Sequence, residues 1–316
     1  MQNNVYQKKL YKQKIQALQK SYIEMGLHVW FMKQYYFVQN FQYSTTYYLK
    51  KGKIAFYCVV LFAVSCFCGY VLSGLYAVRC LLPSNYLVWE ATRPFADCSY
   101  CQNVTKPLIL RNVTRKSFQK YAYSPRPIIV KNSISYWKAK TLTFETFEKL
   151  YKETPGSYES LDDGCQFLNF KTDLFSLKEV FEMPKARVKN EEGEKPWYVG
   201  WGNCHPDILK KLREFYSIPH FLPKNAEFPA TENIFMGYEM GAVMHLDYIT
   251  RLMWQGQVKG NKTWKVAPVP ECEDVCQPFK YYVEPGDVVL LDTRIWYHST
   301  RIPKGQFSLT VQSEYG

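Results

Sequence analysis

An uncharged apolar run of 25 residues constrains this chain more than any other feature. It extends from Ile54 to Val78, with three lysines shortly before it and Arg79 directly after it. A helix of this length, at about 1.5 Å per residue, covers the roughly 30 Å hydrocarbon core of a bilayer. Buried helices of globular domains are usually shorter and keep a polar face, and a signal peptide begins closer to the N-terminus. The run therefore predicts one transmembrane helix over residues 54–78.

The excess positive charge of the chain is concentrated before this run. The chain has 316 residues, with 40 Lys and Arg against 28 Asp and Glu, and its net charge is +12. Nine lysines lie in the first 53 residues, beside a single acid, Glu24. Such a local excess argues against nucleic acid as a partner, and basic segments that flank a span usually stay in the cytosol. Residues 1–53 are therefore predicted to be a cytoplasmic tail. The protein would be single-pass type II, with a signal-anchor and a lumenal or extracellular body in the ER, the Golgi or at the cell surface.

Acceptor sequences and cysteines after the run agree with an oxidising compartment. Three Asn-X-Ser/Thr sequences, at Asn103, Asn112 and Asn261, all follow it and predict a glycoprotein. Apart from Cys80 at the edge of the run, six cysteines also follow it, and an even number favours disulfides whose pairing the sequence does not determine. These six are Cys98, Cys101, Cys165, Cys204, Cys272 and Cys276. The spacings Cys98-x-x-Cys101 and Cys272-x-x-x-Cys276 leave a zinc site open as an alternative.

The pattern of apolar residues after the run predicts a stem followed by one β-rich domain. Residues 79–115, with prolines, cysteines and two acceptor sequences, form the stem, and residues 116–316 form the domain. Helical spacing predicts helices over Leu142–Glu153, Leu177–Met183 and His205–Tyr216. From Asn233 onward the pattern changes to strands, in NIFMGYEM, AVMHLDYI, LMWQGQV, KTWKVAPV, DVVLLD and QFSLTVQSEY. The fold class is therefore mainly β, a barrel or sandwich with helical decoration, preceded by one transmembrane helix.

Three side chains in the strand-rich part have the chemistry of a metal site. His245 and Asp247 form H-x-D within AVMHLDYI, and period-two alternation puts both on one face. His298 follows at the end of PGDVVLLDTRIWYHS. Two imidazoles and one carboxylate on facing strands bind non-haem Fe(II) and leave coordination positions open. A lone H-x-D also arises by chance, and an isolated histidine is most often an ordinary core or surface residue.

The segments around these residues resemble, in content and order, the JmjC/cupin-like family of Fe(II)- and 2-oxoglutarate-dependent oxygenases. They are RPIIVKNSISYW, PHFLP, NIFMGYEMGAVMHLD, QVKGNKTWKVAPVPE and VEPGDVVLLDTRIWYHS, and they extend through most of residues 116–316. The resemblance implies a double-stranded β-helix of the cupin or jelly-roll type. It also implies Fe(II) bound by His245, Asp247 and His298, with 2-oxoglutarate and O2 as cosubstrates.

Within this resemblance, the asparaginyl-hydroxylase-like branch implies a role for Lys262. In that branch the second lysine of a K-G-x-K segment binds the distal carboxylate of 2-oxoglutarate, and Lys259-Gly260-Asn261-Lys262 matches the segment. Alternation in KTWKV puts Lys262 on an apolar face, where an unpaired ammonium is costly. A surface hairpin lysine is the better interpretation of Lys259 and Lys265. Tyr238, on the preceding strand, is a second candidate for cosubstrate binding.

The function implied by the resemblance is that of a 2-oxoglutarate-dependent dioxygenase. It would hydroxylate a protein substrate in the secretory pathway, or alternatively a glycan or a lipid. A non-catalytic, membrane-tethered binding module is the other alternative, because a fold does not determine a function. The complete triad together with Lys262 favours catalysis, since a binding module needs neither. The sequence makes no prediction about oligomeric state.

Overall fold

A computed structural model describes residues 11–18, 20–21, 53–77, 86–163 and 165–316 of the chain. The chain divides into two compact units, Met1–Ala91 and Thr92–Gly316. In the first unit, residues 11–18 and 20–21 are helical, and the apolar run forms helix α1 (Lys53–Ala77). Helix α2 (Tyr86–Thr92) ends at the boundary between the units.

The predicted transmembrane helix is wrong. Among the residues that the structure describes, none of the helices combines the length and the apolar character that crossing a membrane requires. The single-pass type II topology, and the lumenal or extracellular placement that depended on it, are wrong for the same reason. Most of the predicted cytoplasmic tail lies outside the described residues.

The second unit consists of short helices and eleven strands within its described residues. Its α-helices are α3 (Arg115–Phe118), α4 (Phe144–Glu153), α5 (Glu159–Asp163), α6 (Leu177–Phe181), α7 (Lys185–Val188) and α8 (Pro206–Leu212). Short 3-10 helices cover Cys98–Tyr100, Gln119–Tyr121, Lys138–Thr141 and Pro270–Cys272. The strands are β1 (Leu108–Arg111), β2 (Ile128–Lys131), β3 (Phe167–Leu168), β4 (Tyr198–Asn203), β5 (Glu232–Tyr238), β6 (Leu252–Lys259), β7 (Lys262–Ala267), β8 (Phe279–Val283), β9 (Val288–Leu291), β10 (Tyr297–Arg301) and β11 (Phe307–Tyr315).

The strands form two sheets. The larger has the order β1-β2-β9-β6-β11-β5-β4-β3, and the smaller has the order β10-β7-β8. All neighbouring pairs are antiparallel except β1 and β2. This unit is mainly β with attached helices, and it has a jelly-roll-like arrangement.

The strands of the larger sheet alternate between two cores. One face packs against the helices and contributes Ile128, Val130, Trp254, Leu290, Leu309 and Val311 to the first core. The other face contributes Ile129, Met253, Val289 and Leu291 to a second core, which also contains Trp264, Val266, Phe279 and Tyr281 of the smaller sheet. Every second residue of these strands therefore faces the interior between the two sheets.

Two of the predicted helices agree closely with the structure, and the third is shorter. Thr143 caps α4 by accepting a hydrogen bond from the Thr146 N–H, and α6 is capped by Ser176. Helix α8 ends at Leu212 instead of Tyr216. There the Phe215 carbonyl accepts a hydrogen bond from the Ala139 N–H instead of continuing the helix.

Three disulfides connect the six cysteines of the second unit, which confirms the expected disulfides. The pairs are Cys98–Cys272, Cys101–Cys276 and Cys165–Cys204. The four cysteines of the alternative zinc site form two disulfides with one another, so they are not free to bind zinc. Two of these bridges start in the predicted stem, and β1 of that stem pairs with β2. Residues 92–115 therefore lie in the same compact unit as residues 116–316.

Candidate metal centre

The structure brings the three predicted metal ligands together. Each of His245, Asp247 and His298 offers one ligand atom, and these atoms all lie within 4.8 Å of one another. The Nε2 atom of His245 lies 3.3 Å from one carboxylate oxygen of Asp247, and the Nε2 atom of His298 lies 3.7 Å from the other. Among the described residues, this is the one cluster of histidine, cysteine and acidic side chains with the spacing of a metal site.

Backbone carbonyls orient both imidazole rings. The Nδ1 atom of His245 lies 2.6 Å from the Val243 carbonyl oxygen, and that of His298 lies 3.2 Å from the Trp296 carbonyl oxygen. A carbonyl oxygen only accepts, so each Nδ1 carries a proton, and in the neutral imidazole Nε2 then keeps the lone pair that binds a metal. Metal-binding histidines typically have such a second hydrogen bond, which fixes the tautomer and the ring orientation.

The H-x-D segment lies against β10 without forming the predicted strand. Residues 242–249 are irregular apart from a bridge in which His245 and His298 exchange backbone hydrogen bonds of 3.1 and 2.9 Å. Gly241 allows this close approach, because a Cβ atom there would lie 2.1 Å from the Thr300 carbonyl oxygen. The alternation expected from the sequence still holds locally: Leu246 is buried in the second core, and its two neighbours point to the metal site.

The protonation states of His298 and Asp247 favour a bound cation. Burial lowers the pKa of His298 to about 4, so its imidazole is neutral at physiological pH. Burial raises the pKa of Asp247, but hydrogen bonding and the charge interactions with the two histidines outweigh it and lower the net pKa. A neutral imidazole and an ionised carboxylate are the protonation states that bind metal. Two imidazoles and a carboxylate on one side of an ion are the donor set of non-haem Fe(II) sites, so these residues fit that metal.

Lys262 is fully buried, as the alternation in β7 predicts. Lys262, Trp264 and Val266 are buried, whereas Lys265 is exposed. The Lys262 ammonium donates to the Tyr198 hydroxyl oxygen at 2.8 Å, and Thr310 Oγ1 and Gln255 Oε1 lie 3.3 and 3.4 Å away. None of these groups is an anion, and no acidic side chain among the described residues forms an ion pair with it. Burial lowers the pKa of Lys262 to about 7.

Lys262 and His298 lie on the same inward face of the smaller sheet. His298 is paired with Val266, and Thr300 is paired with Trp264. Lys262 faces inward on β7 beyond Trp264. It lies four residues before Val266, which is about 13–14 Å along the strand. Gln257 holds the preceding turn, since its amide nitrogen donates to the carbonyl oxygens of Lys259 and Gly260.

The other candidate for cosubstrate binding, Tyr238, is placed elsewhere. Its ring packs on Trp197 and Phe307 beside the first core, at centroid distances of 6.1 and 5.3 Å. Phe235 lies on the opposite face of β5 from Tyr238, and its ring centroid is 5.8 Å from the Lys262 ammonium. The structure therefore does not bring Tyr238 together with Lys262. Tyr198 of β4 provides the phenol at this position.

Sequence reasoning missed the residues that surround the Lys262 ammonium. Tyr198 lies in β4, where all six residues are buried, so the strand shows no alternation. Gln255 and Thr310 lie in strands that were predicted, and both are buried polar residues. A polar side chain at an inward position of a predicted strand is the signal that could have identified them.

The four aromatic residues near the motifs have different environments. Trp254 and Trp296 are fully buried in the first and second core, respectively. Tyr248 and Tyr297 are partly exposed, and both border the second core. Of these four residues, only the two tyrosines are exposed enough to contact a substrate.

Comparisons with known proteins add little to this geometry. No family model matches the chain, and neither does any curated protein. Among solved structures, the ribosomal oxygenase YcfD of Escherichia coli is similar, with 14% sequence identity and a TM-score of 0.39. The match covers 64% of this chain and 52% of that one, so the chain spans about half the length of that structure. A similarity at this level carries no conclusion about activity.

Proposed function

We propose that the protein is an Fe(II)- and 2-oxoglutarate-dependent dioxygenase that hydroxylates a C–H bond of its substrate. The observation that carries this proposal is the combination, on one inward sheet face, of His298 of the triad and the buried Lys262. Either feature alone has ordinary explanations. Together they match what this chemistry requires, which is a metal with open positions and a cation for the far end of a dicarboxylate.

In this proposal, His245, Asp247 and His298 bind the metal through two Nε2 atoms and one carboxylate oxygen. The backbone carbonyls of Val243 and Trp296 keep the Nδ1 protons in place, so both imidazoles present lone pairs to the same point. When bound, Fe(II) supplies the open positions at which 2-oxoglutarate and O2 react to give succinate, CO2 and a hydroxylated product. The protein holds the ligands in this orientation before the metal binds.

Lys262 binds the distal carboxylate of 2-oxoglutarate in this proposal. A buried ammonium that contacts only neutral groups is destabilising, and a carboxylate would relieve that cost by a charge-assisted hydrogen bond. The Tyr198 hydroxyl and Thr310 Oγ1 lie at the ammonium and can donate to the same carboxylate. The asparaginyl-hydroxylase-like branch is favoured by the position of this lysine, directly after the β6–β7 turn.

The proposed substrate is a protein, with a glycan or a lipid as the alternatives. The direct test is succinate formation by the purified chain with Fe(II), 2-oxoglutarate and O2, in the presence of peptide, glycan or lipid pools. Wild-type protein should form succinate, and His298→Ala should not. Equal succinate formation by both would exclude this metal site from the reaction. Iron binding without any succinate would favour a non-catalytic binding module.

A further inference from the structure

Tyr100 connects two segments that flank the metal site. It is buried between Cys98 and Cys101, and its hydroxyl donates to the Ile295 carbonyl oxygen at 2.8 Å. The same hydroxyl oxygen accepts a hydrogen bond from the Val269 N–H at 3.2 Å. Val269 follows β7 and Ile295 precedes β10. A single hydroxyl group therefore ties together the segments next to two adjacent strands of the smaller sheet.

The contacts of Tyr100 continue to the metal ligand His298. The ring of Tyr100 packs edge-on against Trp296, with centroids 5.0 Å apart and planes at 83°. Trp296 is also fixed by its indole N–H, which donates to the Pro125 carbonyl oxygen at 2.7 Å. The Trp296 carbonyl oxygen in turn lies 3.2 Å from Nδ1 of His298. The orientation of the His298 ring thus depends on a residue that Tyr100 holds in place.

The segment that carries Tyr100 is itself firmly attached. The disulfides Cys98–Cys272 and Cys101–Cys276 lie on either side of it. Arg93 forms two hydrogen bonds of 2.6 and 2.7 Å with the carboxylate of Glu271, which also accepts from the Ala96 N–H at 3.0 Å. These contacts all join residues 93–101 to the loop after β7. These contacts fix the position of Tyr100 relative to the smaller sheet. A residue that orients a metal ligand must be fixed in this way.

We propose that Tyr100 is a positioning residue of the metal centre, which acts on His298 through Ile295 and Trp296. This inference rests on the metal site of the proposed function, but not on turnover. Groups that orient metal ligands directly contribute about 10- to 100-fold to metal affinity. Because the Tyr100 hydroxyl acts through two intervening residues, its loss should weaken metal binding by less, about three- to tenfold.

The test compares Tyr100→Phe with a matched control, Tyr315→Phe. Tyr315 is also buried, and its hydroxyl donates to the Ala122 carbonyl oxygen at 2.6 Å, beside the first core. Both variants lose a buried phenol–carbonyl hydrogen bond and keep the ring. Co(II), titrated into the full chain, reports both affinity and, through its visible absorption spectrum, the arrangement of the ligands. Tyr100→Phe should weaken Co(II) binding and change the spectrum, whereas Tyr315→Phe should leave both at the wild-type values.

The proposal is overturned if Tyr100→Phe binds Co(II) with wild-type affinity and spectrum, or if Tyr315→Phe changes them equally. Trp296→Phe interrupts the same path at its second step and should change the same spectrum, which gives a second measurement if Tyr100→Phe folds poorly. A wild-type chain that binds no metal would also overturn it. A chain that binds metal normally but forms no succinate would contradict the proposed function and leave this inference standing.

Discussion

Lys262 is the residue whose environment depends most on what the protein binds. Its ammonium is buried among neutral groups, and none of the described acidic side chains pairs with it. The carboxylate of the bound cosubstrate would be its anionic partner. Hydrogen bonds to charged groups contribute about 1.5–3 kcal/mol, or roughly ten- to a hundredfold in affinity. Lys262→Met should therefore weaken 2-oxoglutarate binding by about that factor, as measured by calorimetry on the metal-loaded chain. Metal binding should not change, because Lys262 is not a ligand.

The control for this variant is Lys265→Met, on the exposed face of the same strand. Lys259, which precedes the turn, is a less suitable control, because its ammonium donates a hydrogen bond to the Leu142 carbonyl oxygen at 2.6 Å. Lys265→Met should leave 2-oxoglutarate affinity unchanged. If the two variants lose affinity equally, the cosubstrate carboxylate is not bound at Lys262.

The buried ammonium also predicts a pH dependence of stability. Burial lowers the pKa of Lys262 to about 7 in the folded chain, against about 10.4 for a lysine in an unfolded chain. Between these values the unfolded chain binds more protons, so stability should rise with pH, by at most about 1.4 kcal/mol per pH unit. Urea unfolding of cosubstrate-free protein at about pH 7.5 and about pH 9.5 should show this rise, which Lys262→Met should reduce. Equal pH dependence in the two proteins would mean that the lysine keeps its ordinary pKa.

At the level of elements, the two disulfides next to Tyr100 close almost the same loop. Cys98 and Cys272 are separated by 174 residues, and Cys101 and Cys276 by 175. In the chain-entropy account, a bridge stabilises by closing a loop in the unfolded chain, and either bridge closes this one. Replacing one pair by alanines should therefore cost much less than the typical 2–5 kcal/mol, whereas replacing both should cost about that much or more. Urea unfolding measures this, and additive costs would contradict it.

The sequence predicts five strands of the second unit well. Strands β5, β6, β7, β9 and β11 follow their predicted segments, β7 because its burial alternates and β9 because it is a continuous apolar run buried on both faces. Strand β4 was missed because Gly200 and Gly202 interrupt its apolar pattern, and with it the Tyr198 partner of Lys262. The triad could be predicted from spacing and resemblance. The pairing of the cysteines could not, because it depends on residues far apart in the chain, and the second hydrogen bonds of the histidines depend on local backbone geometry that an apolar pattern does not show. The transmembrane prediction used hydropathy and length alone, and it failed.

At the scale of the whole molecule, the second compact unit sets the expected boundary of an independently folding fragment. A fragment of residues 92–316 keeps β1 and all six bridged cysteines. A fragment of residues 116–316 loses β1, which leaves an edge of β2 unpaired, and it leaves Cys272 and Cys276 without partners. The longer fragment should unfold in one cooperative transition, and the shorter one should be less stable by several kcal/mol, on the order of the bridges it lacks. Equal stability of the two fragments would support the boundary at residue 116.

The metal centre is the central claim, and metal stoichiometry under anaerobic conditions tests it most directly. The purified full chain is dialysed against Fe(II), and bound iron is measured by elemental analysis. We expect one Fe(II) per wild-type chain, very little in His298→Ala, and one in His205→Ala, since His205 precedes α8 and is not part of the cluster. Wild-type protein without iron, or equal iron in both histidine variants, would contradict the account.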